Sequence, residues 1–235
     1  TFNLGYLSGM TNNQAVPRPG KEFFQENLDA FVRLLRETQP DFIGFQEIDF
    51  HSRRSYYIDQ LKVIAEDAGY RYAAKAVNWD KWYVPFPYWP PLVHFGRVLS
   101  GQAVLSRWPI ISAQRVVLEK PRSAPFYYNA LYLDRLAQVV KIQIPVFQDG
   151  EMRLNKSFSG VQPRGAGSPL TAGGKESNFK TDQILIIINL HLEAFDRETR
   201  EKHAQVVLDL YRSMKDLYPI LLIGDFNSVP PQAPQ

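Results

Sequence analysis

The sequence predicts an α/β layered protein, and three observations point there. Short apolar runs of strand length alternate with longer segments whose apolar residues recur at helical spacing. Four of the strand-like runs end in polar residues, at Asn3, at Gln46-Glu47, at Asn189 with His191, and at Asp225 with Asn227. The 235 residues are 45% hydrophobic and 22% charged, enough for one sizeable core, and the Pro/Gly-rich stretches fall between strand-like segments. A single domain over residues 1–235 is therefore expected.

Thr1 to Leu7 reads as a short strand and Ser8 to Gly20 as a loop. Phe24, Leu28, Phe31, Leu34 and Leu35 recur at helical spacing, which predicts an amphipathic helix over 23–37 that Pro40 ends. A buried strand over 41–47 follows, then a helix over 55–68 and a strand over 70–76. Residues 78–95 crowd Trp79, Trp82, Tyr83, Phe86, Tyr88, Trp89 and Phe95 among four prolines, a composition that predicts a structured loop rather than a strand or helix. That loop has three readings: packed cover for a sheet edge, a substrate wall, or a membrane-contacting wedge, since Trp and Tyr favour wet apolar boundaries.

Strands are expected over 102–105, 110–118 and 136–145, and the Gly-, Ser- and Lys-rich stretch 148–182 reads as an exposed excursion. Residues 184–190 form the most strand-like run. A helix over 197–215, with Ala204, Val207, Leu208 and Tyr211 inward, and a buried strand over 219–223 complete the rhythm.

The formal charge of +3 favours approach of an anion but is small for a dedicated nucleic-acid surface. The absence of cysteine excludes disulfides, cysteine-based zinc sites and thiol nucleophiles. No apolar run reaches the roughly 20 residues that span a bilayer. The chain begins inside a strand-like segment, which leaves room for a removed N-terminal signal or anchor, so no compartment is assigned.

A glutamate such as Glu47 suits Mg²⁺, a hard cation that takes oxygen ligands and keeps several waters. Asp225 can orient or deprotonate an attacking water, and Asn227 and Asn3 can hold carboxylates or donate to phosphate oxygens. His191 titrates near neutrality and suits an acid, a base or a transition-state donor. Taken singly, each has a bland explanation: a solvated strand-end glutamate, a satisfied histidine, or Asx turn chemistry. Their shared position at strand ends is what argues for a site. Glu193, after His191, reads either as favourable electrostatics at a helix N-terminus, the preferred reading, or as a support for the site residues from behind.

Gln46-Glu47 after an apolar strand, Asn189-Leu190-His191-Leu192-Glu193-Ala194, and Gly224-Asp225-Phe226-Asn227-Ser228 resemble, in order, the signature motifs of the endonuclease/exonuclease/phosphatase superfamily. Asn3 matches the asparagine of its opening strand, and 101–110 resembles its mid-domain strand and turn. The resemblance implies a deoxyribonuclease I-like four-layer α/β/β/α sandwich, two mixed β-sheets flanked by helices. It implies a metal-dependent phosphoester hydrolase, more specifically a phosphodiesterase using in-line attack of water, with Mg²⁺ as cofactor and Mn²⁺ or Ca²⁺ as alternatives. Glu47 and Asn3 would serve the metal, and His191, Asp225 and Asn227 the chemistry. Asn3, Arg135 and Asn189 would contact substrate, which could be a nucleic acid, a phospholipid as in neutral sphingomyelinases, or an inositol phosphate. No obligate protein partner is inferred.

One departure stands out. The family's final strand carries a Ser-Asp-His-type motif, whereas this chain ends at Pro230-Pro231-Gln232-Ala233-Pro234-Gln235. The domain is thus expected to be C-terminally incomplete, and the competing reading is a non-catalytic binding module on the same fold.

Overall fold

The computed structural model describes residues 1–9, 17–148, 151–153 and 184–228. In chain order its elements are β1 (Phe2–Asn3), α1 (Lys21–Thr38), β2 (Phe42–Asp49), α2 (Gln60–Ala68), β3 (Tyr72–Val84), β4 (Gly96–Ser106), β5 (Ile110–Val117) and α3 (Phe126–Leu131). They continue with β6 (Leu136–Gln143), β7 (Val146–Gln148), β8 (Glu151–Arg153), β9 (Ile184–His191), α4 (Arg197–Met214) and β10 (Ile220–Asp225). Most of the excursion expected over 148–182, part of the loop expected over 8–20 and the end of the chain lie outside the described residues.

Two four-stranded sheets carry the fold, in the orders β1-β2-β4-β3 and β10-β9-β6-β5. Each is mixed: β1 runs parallel to β2 and β10 parallel to β9, while the other pairs are antiparallel. The alternation of side chains along each strand divides them between a face against helices and a face against the other sheet. Ile43, Phe45, Ala103 and Leu105 point outward onto α1 and α2, meeting Phe24, Leu28, Phe31, Leu61 and Ile64. On the other side, Ala137, Val139, Ile186, Ile188 and Leu190 meet Val207 of α4. Ala74, Val104, Val140, Ile142 and Ile187 fill the space between the sheets. The architecture is the four-layer α/β/β/α sandwich.

Polar side chains also cross between the sheets. The Asn189 side chain, fully buried, donates to the Phe45 and Ala103 carbonyls at 3.1 and 3.2 Å and to Gln138 Oε1 at 3.3 Å, and its Oδ1 accepts from Gln46. Gln102 donates to the Asn189 carbonyl at 3.3 Å, and Gln138 donates to the Ala74 carbonyl at 2.9 Å. Gly44 makes room for this cluster, because a Cβ there would lie 2.7 Å from Asn189 Oδ1.

The helices carry ordinary stop and start signals. Gln39, in the left-handed region, closes α1 before Pro40, and Asp59 caps α2 by accepting from Lys62 N–H. Asp196 caps α4 by accepting from Thr199 N–H at 2.7 Å.

Several boundaries and faces differ from expectation. The opening strand is Phe2–Asn3 alone, followed by a 3-10 turn over Gly5–Leu7. Strand β3 runs on to Val84, into the aromatic stretch where no strand was expected, because the prolines begin only at Pro85. Two register breaks against β4, after Val77 and after Lys81, accommodate the bulky residues. On α4 the helical period holds but its phase is displaced: Thr199, His203 and Val207 are buried, whereas Leu208 and Tyr211 are exposed. On α1, Leu34 is likewise exposed and Val32 takes the inward position. Among the described residues strand β10 pairs only with β9 and stands at the sheet edge, with Leu221 and Leu222 exposed rather than buried.

Replacing Asn189 by Leu keeps the branched shape but leaves several buried amides and carbonyls without their partners. We expect a loss of about 2–4 kcal/mol of stability, read as a lower urea midpoint; an unchanged midpoint would show that the sheets do not depend on this side chain.

Candidate active site

The site forms where β1, β2, β9 and β10 end together. Phe45 and Ile48 both face α1, so strict alternation between them is impossible, and the register against β4 breaks there. The break is made by Glu47, whose φ is +51°. A residue in the left-handed conformation at a bulge redirects its side chain, so Gln46 and Glu47 both address the inter-sheet side. Gln46 is taken by Asn189 and Glu47 reaches the rim.

On β9, Ile187, Asn189 and His191 share one face. His191 is 1% exposed. Its Nε2 stands 3.9 Å from a Glu47 carboxylate oxygen and 3.8 Å from one of Asp225. Asp225 ends β10, opposite His191 in register. Gly224 before it has φ +139° and packs so closely on β9 that a Cβ would lie 2.0 Å from the Leu190 carbonyl oxygen. Asn227, φ +49°, donates from its side chain to the Leu192 carbonyl at 2.9 Å and from its backbone N–H to Asp225 at 2.9 Å. Asn3 joins the two carboxylates, donating to Asp225 at 2.8 Å and hydrogen-bonding Glu47.

The environments push the titratable groups apart. Burial raises the Glu47 carboxyl, against the opposing Asn3 hydrogen bond and the Arg54 and Arg135 charges. Burial also acts to raise Asp225, but the hydrogen bonds from Asn3 and from Asn227 N–H, with the His191 and Arg135 charges, outweigh it and hold Asp225 below the usual range. His191 is lowered, first by burial and then by the Arg135 guanidinium. An arginine only donates, so its contact with His191 Nε2 makes that nitrogen an acceptor and places the imidazole proton on Nδ1. Nδ1 itself has no hydrogen-bond partner among the described residues.

Arg135 is buried and reaches its position through two further groups. Its Nη2 donates to the Tyr132 hydroxyl at 3.1 Å, and its Nε faces the Glu193 carboxylate at 3.7 Å. Glu193 is buried too, accepting from Phe195 N–H at 3.0 Å. It therefore acts as counter-charge to Arg135, not as a helix N-terminal residue, a place that Asp196 fills. Behind it, Glu193 N–H donates to His203 Nδ1 at 3.3 Å and His203 Nε2 donates to the Glu119 carbonyl at 2.7 Å, tying α4 to the site.

Of the residues singled out from the sequence, Asn3, Glu47, Arg135, His191, Asp225 and Asn227 come together. Asn189 does not reach the rim: its amide is consumed in clamping the sheets, which corrects its expected contact with substrate. Tyr132 lies three residues before Arg135 but in no motif, and the pairing of Glu193 with Arg135 joins segments far apart in the chain. The buried pair of Arg54 and Asp49, joined at 2.9 and 3.1 Å, is local, five residues apart, and it is the Tyr6 ring, 3.4 Å from the guanidinium, that comes from a distant segment.

An open recess of about 560 Å³ adjoins Asn3, Asp225 and Asn227. Among the described residues no group of three or more His, Asp or Glu side chains is arranged to hold a metal ion. Two neighbouring carboxylates and an amide do suit Mg²⁺, which takes one or two carboxylates and retains its waters.

The model of the Endonuclease/Exonuclease/phosphatase family matches residues 1–234. Among solved structures, the chain is similar to the endonuclease/exonuclease/phosphatase from Beutenbergia cavernae, with 18% identity and a TM-score of 0.52, covering 85% of this chain and 42% of that one. It is also similar to ANGEL2, a 2′,3′-cyclic phosphatase, with 16% identity and a TM-score of 0.54, covering 97% of this chain and 52% of that one. The chain thus spans about half the length of these structures or less, and at such identities the likeness concerns the fold. No curated protein matches.

His203 supplies a pH test of the α4 tie. Burial lowers its folded-state pKa, so between that value and about 6.5 the unfolded chain binds more protons. The stability it contributes is present above about pH 6.5 and is lost as pH falls through the folded pKa. Thermal melts should show a lower Tm at about pH 5.5 than at about pH 7.5, with a smaller difference in His203→Gln; an equal difference in both would refute the assignment.

Proposed function

Because the chain belongs to the endonuclease/exonuclease/phosphatase family, we propose that it hydrolyses phosphoester bonds, as a phosphodiesterase that directs water in line at phosphorus. The observation that carries this reading is the convergence of Glu47 and Asp225 within 4 Å of one buried imidazole nitrogen, with a buried arginine against the same nitrogen.

Asp225, kept ionised by its hydrogen bonds, is suited to orient a water and accept its proton. Asn227, through its backbone N–H, and Asn3, through its side-chain amide, hold that carboxylate in place. Arg135 contributes a fixed positive charge opposite the incoming phosphate, and its contact with His191 is one that a phosphoryl oxygen can replace. His191 Nε2, freed from that contact, stands 3.8 Å from Asp225, from which it can take the proton released by the attacking water and pass it to the departing oxygen. Glu47, with Asn3 beside it, is the residue that would hold Mg²⁺, with Mn²⁺ or Ca²⁺ as alternatives. Such an ion, when bound, polarises a phosphoryl oxygen.

The test is hydrolysis of bis-p-nitrophenyl phosphate by residues 1–235, by the complete gene product and by its His191→Ala variant, each with Mg²⁺ and with EDTA. Turnover that EDTA abolishes, and that falls by about 10²–10⁴-fold in the variant, is the expected result. Absence of turnover in every form would favour the non-catalytic binding module.

A further inference from the structure

The tip of the β3–β4 hairpin carries apolar surface that nothing in the described chain covers. Trp82, Trp89 and Leu92 are 87%, 76% and 86% exposed, and Tyr83 and Tyr88 are exposed beside them. Large side chains held open to water in one place mark a contact surface more often than chance. The tip is not loose. Its base packs Trp79, Phe86 and Phe95 ring against ring, and Arg53 donates to the His94 carbonyl at 3.1 Å.

What this surface fits follows from its charge and its hydrogen bonds. From Tyr83 to Gly96 the sequence contains no Asp, Glu, Lys or Arg. Arg97, at the base, is engaged with Asp80. Lys81 beside Trp82 and Arg97, whose guanidinium stands 5.8 Å from the Trp82 ring, both lie at the base; a strand of nucleic acid would need a row of free cations along the aromatic rings, and from Tyr83 to Gly96 there is none. The tip's polar groups are largely satisfied from within. The Tyr83 hydroxyl donates to His94 Nδ1 at 2.7 Å, and His94 Nε2 donates to the Tyr88 carbonyl at 3.2 Å. Val93, His94 and Phe95 N–H groups donate to the Pro90, Pro91 and Phe86 carbonyls. Pro85, Pro87, Pro90 and Pro91 have no N–H to satisfy. A segment with few unmet donors loses little on leaving water, and Trp and Tyr rings settle at the boundary between headgroups and acyl chains.

We propose that this hairpin tip docks the protein on a zwitterionic phospholipid bilayer, with Trp82, Trp89 and Leu92 entering the headgroup–acyl boundary. The hydrolase reading is not needed for this. The tip is nonetheless joined to the site, since Trp79 Nε1 donates to the Leu131 carbonyl at 2.8 Å, and the neighbouring Tyr132 accepts from Arg135.

The experiment is flotation of the full-length protein with phosphatidylcholine vesicles, with quenching of its tryptophan fluorescence by brominated acyl chains. Binding should survive about 1 M salt, because screening at a Debye length near 3 Å removes electrostatic attraction but not apolar contact. Trp89→Ala and Leu92→Ala should each weaken partitioning about tenfold. Both side chains are exposed and outside the catalytic machinery, so hydrolysis of bis-p-nitrophenyl phosphate should be unchanged, and failure here would leave the hydrolase reading intact. The proposal is overturned if wild type does not float, if only anionic vesicles bind and salt releases them, if both variants partition like wild type, or if single-stranded oligonucleotides quench the fluorescence and vesicles do not.

Discussion

The fold depends on one buried amide. Two apolar sheets packed face to face have no intrinsic register, because hydrophobic contact is non-directional. Asn189 supplies direction: its hydrogen bonds reach β2, β4 and β6, so the sheets can settle in only one relative position. Breaking any one of those bonds strands a polar group in a place without water, which is why the arrangement is specific as well as stable. His191 lies two residues along the same face of β9, and Glu47 lies one residue beyond Gln46. Fixing Asn189 against Gln46 therefore sets the distance between histidine and carboxylate. The site inherits its geometry from the core.

A second constraint is electrostatic. Two carboxylates, Glu47 and Asp225, stand near one imidazole nitrogen, and a buried guanidinium stands against the same nitrogen. Burying Arg135 alone would be prohibitive, and Glu193 makes it tolerable. Glu193 in turn is fixed by Phe195 N–H and by the His203 bond to its backbone. The outermost helix is thus coupled to the innermost charge, and the inward face of α4 is chosen by His203 and Thr199 as much as by apolar residues.

This explains what could be read from the sequence. Strand ends carrying Asn3, Glu47, His191 and Asp225 were visible because an apolar run followed by a chemically active residue is a local pattern. The α4 face was misread because its anchor is a histidine, which periodicity of apolar residues cannot count. Asn189 was placed at the rim because it lies in the same motif as His191; only the opposite sheet reveals that its amide is occupied. Strand β3 runs on to Val84 because no proline precedes Pro85, although the aromatic density of this stretch points to a loop. The pairing of Arg135 with Glu193 joins segments far apart in the chain, and the short-range contact with Tyr132 carries no recognisable motif.

The site is assembled from departures from regular strand geometry. Glu47 and Asn227 adopt left-handed backbone, and Gly224 occupies a conformation and a space that no other residue could share with Leu190. A regular strand would turn Glu47 away toward α1, where its carboxylate would meet apolar side chains such as Phe31 instead of Asn3. Burial already works against the charge on Glu47, and the neighbouring Asp225 adds to that opposition, with Asn3 bridging the pair as the nearest relief. Two like charges held together by backbone irregularity gain more from an added cation than either would alone. The unusual backbone at Glu47 is what would give the proposed cation its second carboxylate.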